Sequence, residues 1–274
     1  MRRGTRYGAL LGPLLAGGAR PDLVERAARG LGLPERGRYA VVVLGAPVPE
    51  AAVAAGPDVV GPGAVGPDAE DPEADGPDAG GSDADGTRWC WCGSGGAGGG
   101  GDCDGAGDVV VVLLGAEGPA GAVARLGELG AGPGGMSPVV GSLAELGTAR
   151  RLAGTALLTC APGTREVVRL DERLPTALLV SRPELSARLL AEVFGPLLTL
   201  VPAERAVLVG TLEAWLECGG SVGRAAVRLR CHRNTVFNRL RRLERLTARS
   251  LSRPRELVDL VLALDVLRLS SGPA

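Results

Sequence analysis

The spacing of apolar residues changes character near residue 184. Before that point two continuous apolar runs, Tyr39–Leu44 (YAVVVL) and Asp108–Leu114 (DVVVVLL), stand among segments of helical period. Beyond it every periodic segment repeats at three and four residues. Residues at i, i+3 and i+4 share one face of a helix, whereas a short β-branched run suits a strand buried on both faces. The two patterns in succession predict an α+β chain, with an N-terminal α/β domain followed by an all-α one. A length of 274 residues holds about two domains at the usual ~100–200 residues each.

In the first part a helix is expected at 21–31, with Leu23, Ala27 and Leu31 on one side. The two apolar runs are expected to pair as strands. Ala120–Leu129 reads as a helix, Val139–Val140 as a short strand and Ser142–Leu158 as a longer helix with Leu143, Leu146, Ala149 and Ala153 as its seam. Glu166–Leu170 reads as a last short strand. The expected organisation is an N-terminal helical segment over 1–35, an α/β domain over 36–183 and a helical domain over 184–274.

Between the two apolar runs lies a low-complexity tract at about 46–107, built of Pro-Asp and Gly-Pro dipeptides and then GGSGGAGGGGDCDG. Residues 50–108 carry thirteen Asp/Glu against one base, Arg88. Such a composition buries too little surface to offset its ordering entropy, so a disordered insert is expected. Trp89 and Trp91 are the exception, reading either as a short strand edge or as rings packed on the fold. Cys90, Cys92 and Cys103 lack a fourth ligand, and the single His of the chain is distant, at 232. They read as reduced thiols in a flexible loop, with no metal site. Cys160, Cys218 and Cys231 sit in apolar patterns and read as small core residues.

The opening MRRGTRYGALLGPLLAGG pairs early arginines with an apolar run, but Gly12, Pro13, Gly17 and Gly18 interrupt it. No export signal is expected. No apolar run approaches the ~20 residues that span a bilayer. A cytoplasmic protein without a membrane partner is the expectation.

From 184 onward Leu185–Leu200 and Ala203–Leu216 read as amphipathic helices. After Cys218-Gly219-Gly220, Ser221 reads as an N-cap for a short helix burying Val222, Ala225, Ala226 and Leu229. Arg230-Cys231 makes a turn, and His232–Leu246 follows as a helix. The mostly apolar Arg255–Leu269 closes the chain as a buried helix.

The helix after the turn has two unlike faces. Val236, Leu240 and Leu243 form an apolar seam, and Asn234, Asn238, Arg241 and Arg245 lie opposite, with Arg242 at the edge. Residues 219–253 hold ten Arg against one acid, Glu244. Five of those Arg fall within 232–246, a crowding that repels unless an anionic partner is present. Two short helices joined by a tight turn, the second basic outside, form a helix-turn-helix at about 221–246. Its second helix is placed to read the major groove.

The chemistry distributes roles. Asn234 suits adenine, and Arg233 or Arg241 suits guanine. Thr235 suits a phosphate or a thymine methyl. Arg228, Arg230, Arg242 and Arg245 suit phosphates, which fix register without reading sequence. His232 can cap the helix or touch phosphate. Arg239, on the shoulder of the seam, reads as a structural ion-pair residue.

The stretch L-x-C-HRNTVFNRLRRLERLT, followed by a Leu-rich helix ending LALDVLRL, resembles the C-terminal domain of PucR/CdaR-type bacterial transcriptional regulators over about 190–270. The resemblance rests on His232, Arg233, Asn234, Thr235, Arg239 and Leu240. More weakly, GMSPVVGSLAELGTARRLAGTAL (135–157) resembles the degenerate GGDEF-like middle domain of the same regulators. The resemblance implies a DNA-binding regulator, with Asn238 where an aromatic is frequent and Ala248 where a helix-ending Gly is common. No GGDEF motif is intact, so cyclase activity is not implied.

A homodimer on double-stranded DNA is expected, since one such unit reads a short half-site. The α/β domain is expected to sense a small-molecule effector or mediate assembly. The alternative is a ligand-responsive protein-interaction module whose helical domain does not bind DNA specifically. The α/β domain holds no phosphate loop, no G-x-S-x-G motif and no paired acids at a defined element, so no enzyme activity, catalytic residue or cofactor is expected.

Overall fold

β1 (Arg36–Leu44) is the strand around which the N-terminal half is assembled. The computed structural model describes residues 4–46, 86–92, 107–161 and 163–270, and the chain divides into two compact units, Met1–Ala177 and Leu178–Ala274. β1 pairs antiparallel with β3 (Val109–Leu113) in the register Tyr39↔Leu113 to Val43↔Val109. The two β-branched runs therefore meet as their pattern predicts. On its other edge β1 takes β4 (Gly134–Met136) near its C-terminal end and β5 (Val140–Ser142) near its start, with a bulge between Arg36 and Tyr39. β2 (Arg88–Cys92) pairs antiparallel with β3, and β6 (Val167–Arg169) runs parallel to β4, giving the order β2-β3-β1-β4-β6.

Both faces of this sheet are covered, which explains the unbroken apolar runs of its central strands. Tyr39, Val41, Val43, Val109 and Val111 point to one side. There they pack with α1 (Gly4–Leu15), α2 (Pro21–Leu31) and α4 (Leu146–Leu157), through Leu11, Leu14, Ala27, Leu31, Leu146, Ala149 and Ala153. Ala40, Val42, Leu44, Val110 and Val112 point to the other, against Ala122 and Leu126 of α3 (Gly118–Glu128). α4 lies so near β4 that a Cβ on Gly135 would stand 2.1 Å from the Leu157 nitrogen and 2.3 Å from the Ala153 oxygen.

Two expectations need correction. Within the tract at 46–107 the strand-edge alternative for Trp89 and Trp91 is the one realised, because residues 88–92 form β2, and Cys90 and Cys92 are therefore strand residues and not thiols of a flexible loop. Cys90 and Cys92 alternate with Trp89 and Trp91 across the pleat, all four are buried, and each pair joins a different face of the core. Residues 47–85 and 93–106, with Cys103, lie outside the described residues. The helix read over 142–158 begins later: Ser142 ends β5, Leu143–Glu145 is one 3-10 turn, and α4 starts at Leu146. The Glu145 carboxylate accepts hydrogen bonds from the Gly141 N–H and the Ser142 hydroxyl, and so holds the chain extended at that point. The opening run, part of the helical segment expected over 1–35, forms α1 despite Gly12 and Pro13. Pro13 falls in its last turn, where a single ladder bond is lost.

The C-terminal unit is helical. α5 (Leu174–Val180) crosses the division and leads to α6 (Pro183–Leu198) and α7 (Pro202–Glu217). α8 (Val222–Arg228), α9 (Arg233–Thr247) and α10 (Pro254–Ser270) follow. Phe194 and Leu197 of α6, Leu208 and Leu212 of α7, Leu243 of α9, and Leu260 and Leu264 of α10 make one core. Ala214, Ala225, Ala226, Val236 and Leu240 make a smaller one beneath α8 and α9. Among the described residues no single helix is long and apolar enough to cross a membrane.

Candidate nucleic-acid interface

The helix pair α8–α9 is fixed by caps that the sequence itself supplies. The Ser221 hydroxyl accepts the Arg224 N–H at 3.3 Å and starts α8. The Nδ1 of His232 accepts the Asn234 N–H at 3.2 Å and starts α9, so the capping alternative for His232 is the one realised. Between them Arg230 takes a left-handed φ of 51°, which turns the chain tightly enough for the Cys231 N–H to bond the Ala226 carbonyl. Ala225 and Ala226 are buried against Val236 and Leu240, and their small side chains let the two helices cross closely.

With that seam buried, the opposite face of α9 is turned to solvent. Asn234, Asn238, Arg241 and Arg245 are all exposed, as are Arg228, Arg230, His232 and Arg233; Thr235 and Arg242 are half-buried. Among the described residues the Asn234 and Asn238 side-chain amides make no hydrogen bond, and Arg230, Arg233 and Arg245 make no ion pair. Two members of the expected phosphate set do have partners. Arg228 pairs with Glu217, and Arg242 pairs with Glu204 at 2.6 Å, both acids coming from α7. The structural ion pair expected of Arg239 is thus made by Arg242; Arg239 itself forms none with the described residues. Three residues along the helix decide this, because Arg242 reaches Glu204 of α7 and position 239 does not reach an acid.

Sequence reasoning passed over two features of this surface. Phe237 leaves the apolar seam and is 47% exposed beside the Arg/Asn face, with the Arg241 guanidinium 4.8 Å from its ring centroid. The spacing of four residues was readable, and it stacks the guanidinium on the ring. The second feature is a shallow depression at the C-terminal end of α9, about 660 Å³ in volume and lined by Asn238, Arg241, Arg245, Arg249 and Arg253 with Glu244 and Glu256. Its loop is tied on both sides. Glu244 accepts the Leu251 N–H and the Ser250 hydroxyl, and Glu256 accepts the Ser250 N–H and Arg253. The Ser250 N–H first, and then Arg253, hold the Glu256 carboxyl below its ordinary range. Ala248 ends α9 with a left-handed φ of 51°, the conformation that a glycine would otherwise supply.

Among the described residues the cysteines offer no competing site. Burial pushes the Cys90 and Cys92 thiols up to about 12 each, so both stay protonated and poor as ligands or nucleophiles near neutral pH. Among the described residues no group of three or more His, Cys, Asp and Glu is placed to hold a metal ion.

Residues 208–266 match the family model of the PucR C-terminal helix-turn-helix domain. α8, the turn and α9 all lie inside that span. The C-terminal unit carries a PucR-type helix-turn-helix domain. The match takes in no part of the sheet unit. Over 108 residues the chain is 33% identical to an uncharacterized protein of Mycobacterium tuberculosis and to one of Mycobacterium bovis. Those alignments cover 39% of this chain and 25% of each relative, so the chain spans about a quarter of the length of the curated relatives it matches. The crystal structure of a regulator of polyketide synthase expression from Bifidobacterium adolescentis aligns over 97% of this chain and 98% of its own, at 20% identity and a TM-score of 0.39.

Proposed function

We propose that the chain is a sequence-specific, cytoplasmic transcriptional regulator that lays α9 in the major groove of double-stranded DNA. The observation that carries this is the face of α9. Two amides and two guanidiniums, Asn234, Asn238, Arg241 and Arg245, stand exposed in one row on a helix whose other side is locked in the core. Asn234, one residue into the helix, is placed to meet an adenine edge, and Arg233 or Arg241 a guanine. Arg230 and Arg245 serve phosphates, and Arg228 and Arg242 do so while shared with Glu217 and Glu204. His232, committed through Nδ1 to its cap, keeps its Nε2–H free for a phosphate oxygen. Thr235 flanks the row.

Pairing two copies would double the half-site. The sheet unit, which the resemblance of 135–157 ties to degenerate GGDEF-like domains, would carry the input from a small-molecule effector. No catalytic role is assigned to it.

In vitro selection of duplexes by the full chain, followed by affinity measurement of Asn234→Ala, tests the reading. The variant should lose about 1–3 kcal/mol on the selected site and little on random duplex. Equal losses on both would remove Asn234 from base reading. A wild-type chain that selects no sequence would favour the protein-interaction alternative.

A further inference from the structure

We infer that the depression at the C-terminal end of α9 seats one backbone phosphate of the duplex, with Arg253 as a cation contributed from outside the helix-turn-helix. The inference rests on the reading just given and adds a contact beyond it. In a helix-turn-helix the N-terminal residues of the second helix meet the base edges. Arg245 stands eleven residues beyond Asn234, about 16 Å along the axis at 1.5 Å per residue. With Asn234 at base edges and α9 inclined across a groove about 12 Å wide, its far end comes out to the sugar-phosphate wall.

The charges there are arranged for an anion. Four arginines and two glutamates line the depression. Arg249 is engaged elsewhere, by Asp259 at 3.1 Å and Glu192 at 3.4 Å. Both glutamates are spent on the loop, Glu244 on Ser250 and Leu251, Glu256 on Ser250 and Arg253. Arg241 and Arg245 keep their charges without an acidic partner among the described residues. Arg253 is shared with a single carboxylate at 2.9 Å and is otherwise in solvent. Because the loop is tied down at Ser250 and Leu251, Arg253 is presented from a fixed backbone, and less freedom is lost on contact.

The shape favours a phosphate still attached to a duplex over a free small anion. Small-molecule sites bury most of their ligand, and this one is a shallow surface continuous with the α9 face through Asn238, Arg241 and Arg245.

The test measures the affinity of the full chain for its selected site and for random duplex across a salt series, using wild type, Arg253→Ala and Glu256→Gln. Arg253→Ala should weaken both duplexes by the same factor, roughly 3- to 10-fold at 0.1 M salt, and lower the salt slope by about one. Glu256→Gln keeps an acceptor for the Ser250 N–H but releases Arg253, so it should tighten both by a few-fold. A single methylphosphonate at the contacted phosphate should cost wild type affinity and cost Arg253→Ala none. An unchanged slope in Arg253→Ala, a changed base preference, or weaker binding by Glu256→Gln overturns the inference while leaving the major-groove reading in place. Failure of the wild type to retain any duplex at low salt overturns that reading itself.

Discussion

Ala248 shows how a single residue can record a conflict between local preference and tertiary demand. The chain must leave α9 through the left-handed region, yet the position holds a residue with a Cβ, and Ala248 sits at φ 51° and ψ 32°. That conformation costs an L-residue roughly 1–2 kcal/mol and glycine almost nothing. Ala248→Gly should therefore raise unfolding stability by about 1 kcal/mol, less the extra freedom glycine gains in the unfolded chain. Chemical denaturation would read this as a higher midpoint at unchanged slope, and a lower midpoint would mean that the methyl group supports the loop. Arg230 occupies the same region at φ 51° in the helix-turn-helix bend, and its side chain stays exposed. Phe237 is the other instructive residue. Read along the helix it resembles core, and its exposure became evident only once Val236, Leu240 and Leu243 had filled the seam.

Among the elements, α9 was the most legible and β2 the least. The helix was readable because its cap, seam and basic face are relations between residues one to four positions apart. β2 stayed one of two alternatives because glycine, proline and aspartate surround it. Its evidence was four residues, Trp89 to Cys92, whose alternation acquires meaning only beside β3. β4 offers a sharper test of how elements fit. Gly135 leaves no room for a Cβ beneath α4, so Gly135→Ala must push helix from strand. A loss of about 1–3 kcal/mol is expected from such overpacking, read as a lower unfolding midpoint for the sheet unit. An effect below half a kcal/mol would show that α4 shifts freely. The acids that engage the basic surface were illegible for a related reason. Glu204 and Glu217 sit on α7, and nothing local assigns them to Arg242 and Arg228.

For the whole molecule, pH is an informative variable. Burial raises the Cys90 and Cys92 thiols from 9.0 to about 12, and burial followed by the Cys90 charge raises the Tyr39 hydroxyl in the same direction. A folded-state value above the unfolded one contributes stability that is complete below the unfolded value and is lost as pH rises through the folded value. The sheet unit should thus weaken progressively between about pH 9 and 12. In a series of thermal melts, replacing both cysteines with alanine should flatten that decline, and an equally steep fall would exclude the thiols as its source. By itself the sequence determined the succession of an α+β half and a helical half, the pairing of its two β-branched runs, and the basic face of α9. These follow from periodicity and from charge counted along a helix. Tertiary structure alone decided which arginines are left free and that Trp89 and Cys90 belong to the sheet core. It also showed that a loop tied by Glu244 and Glu256 adjoins the Arg/Asn face of α9. Those outcomes depend on groups distant in the chain whose meeting no local pattern encodes.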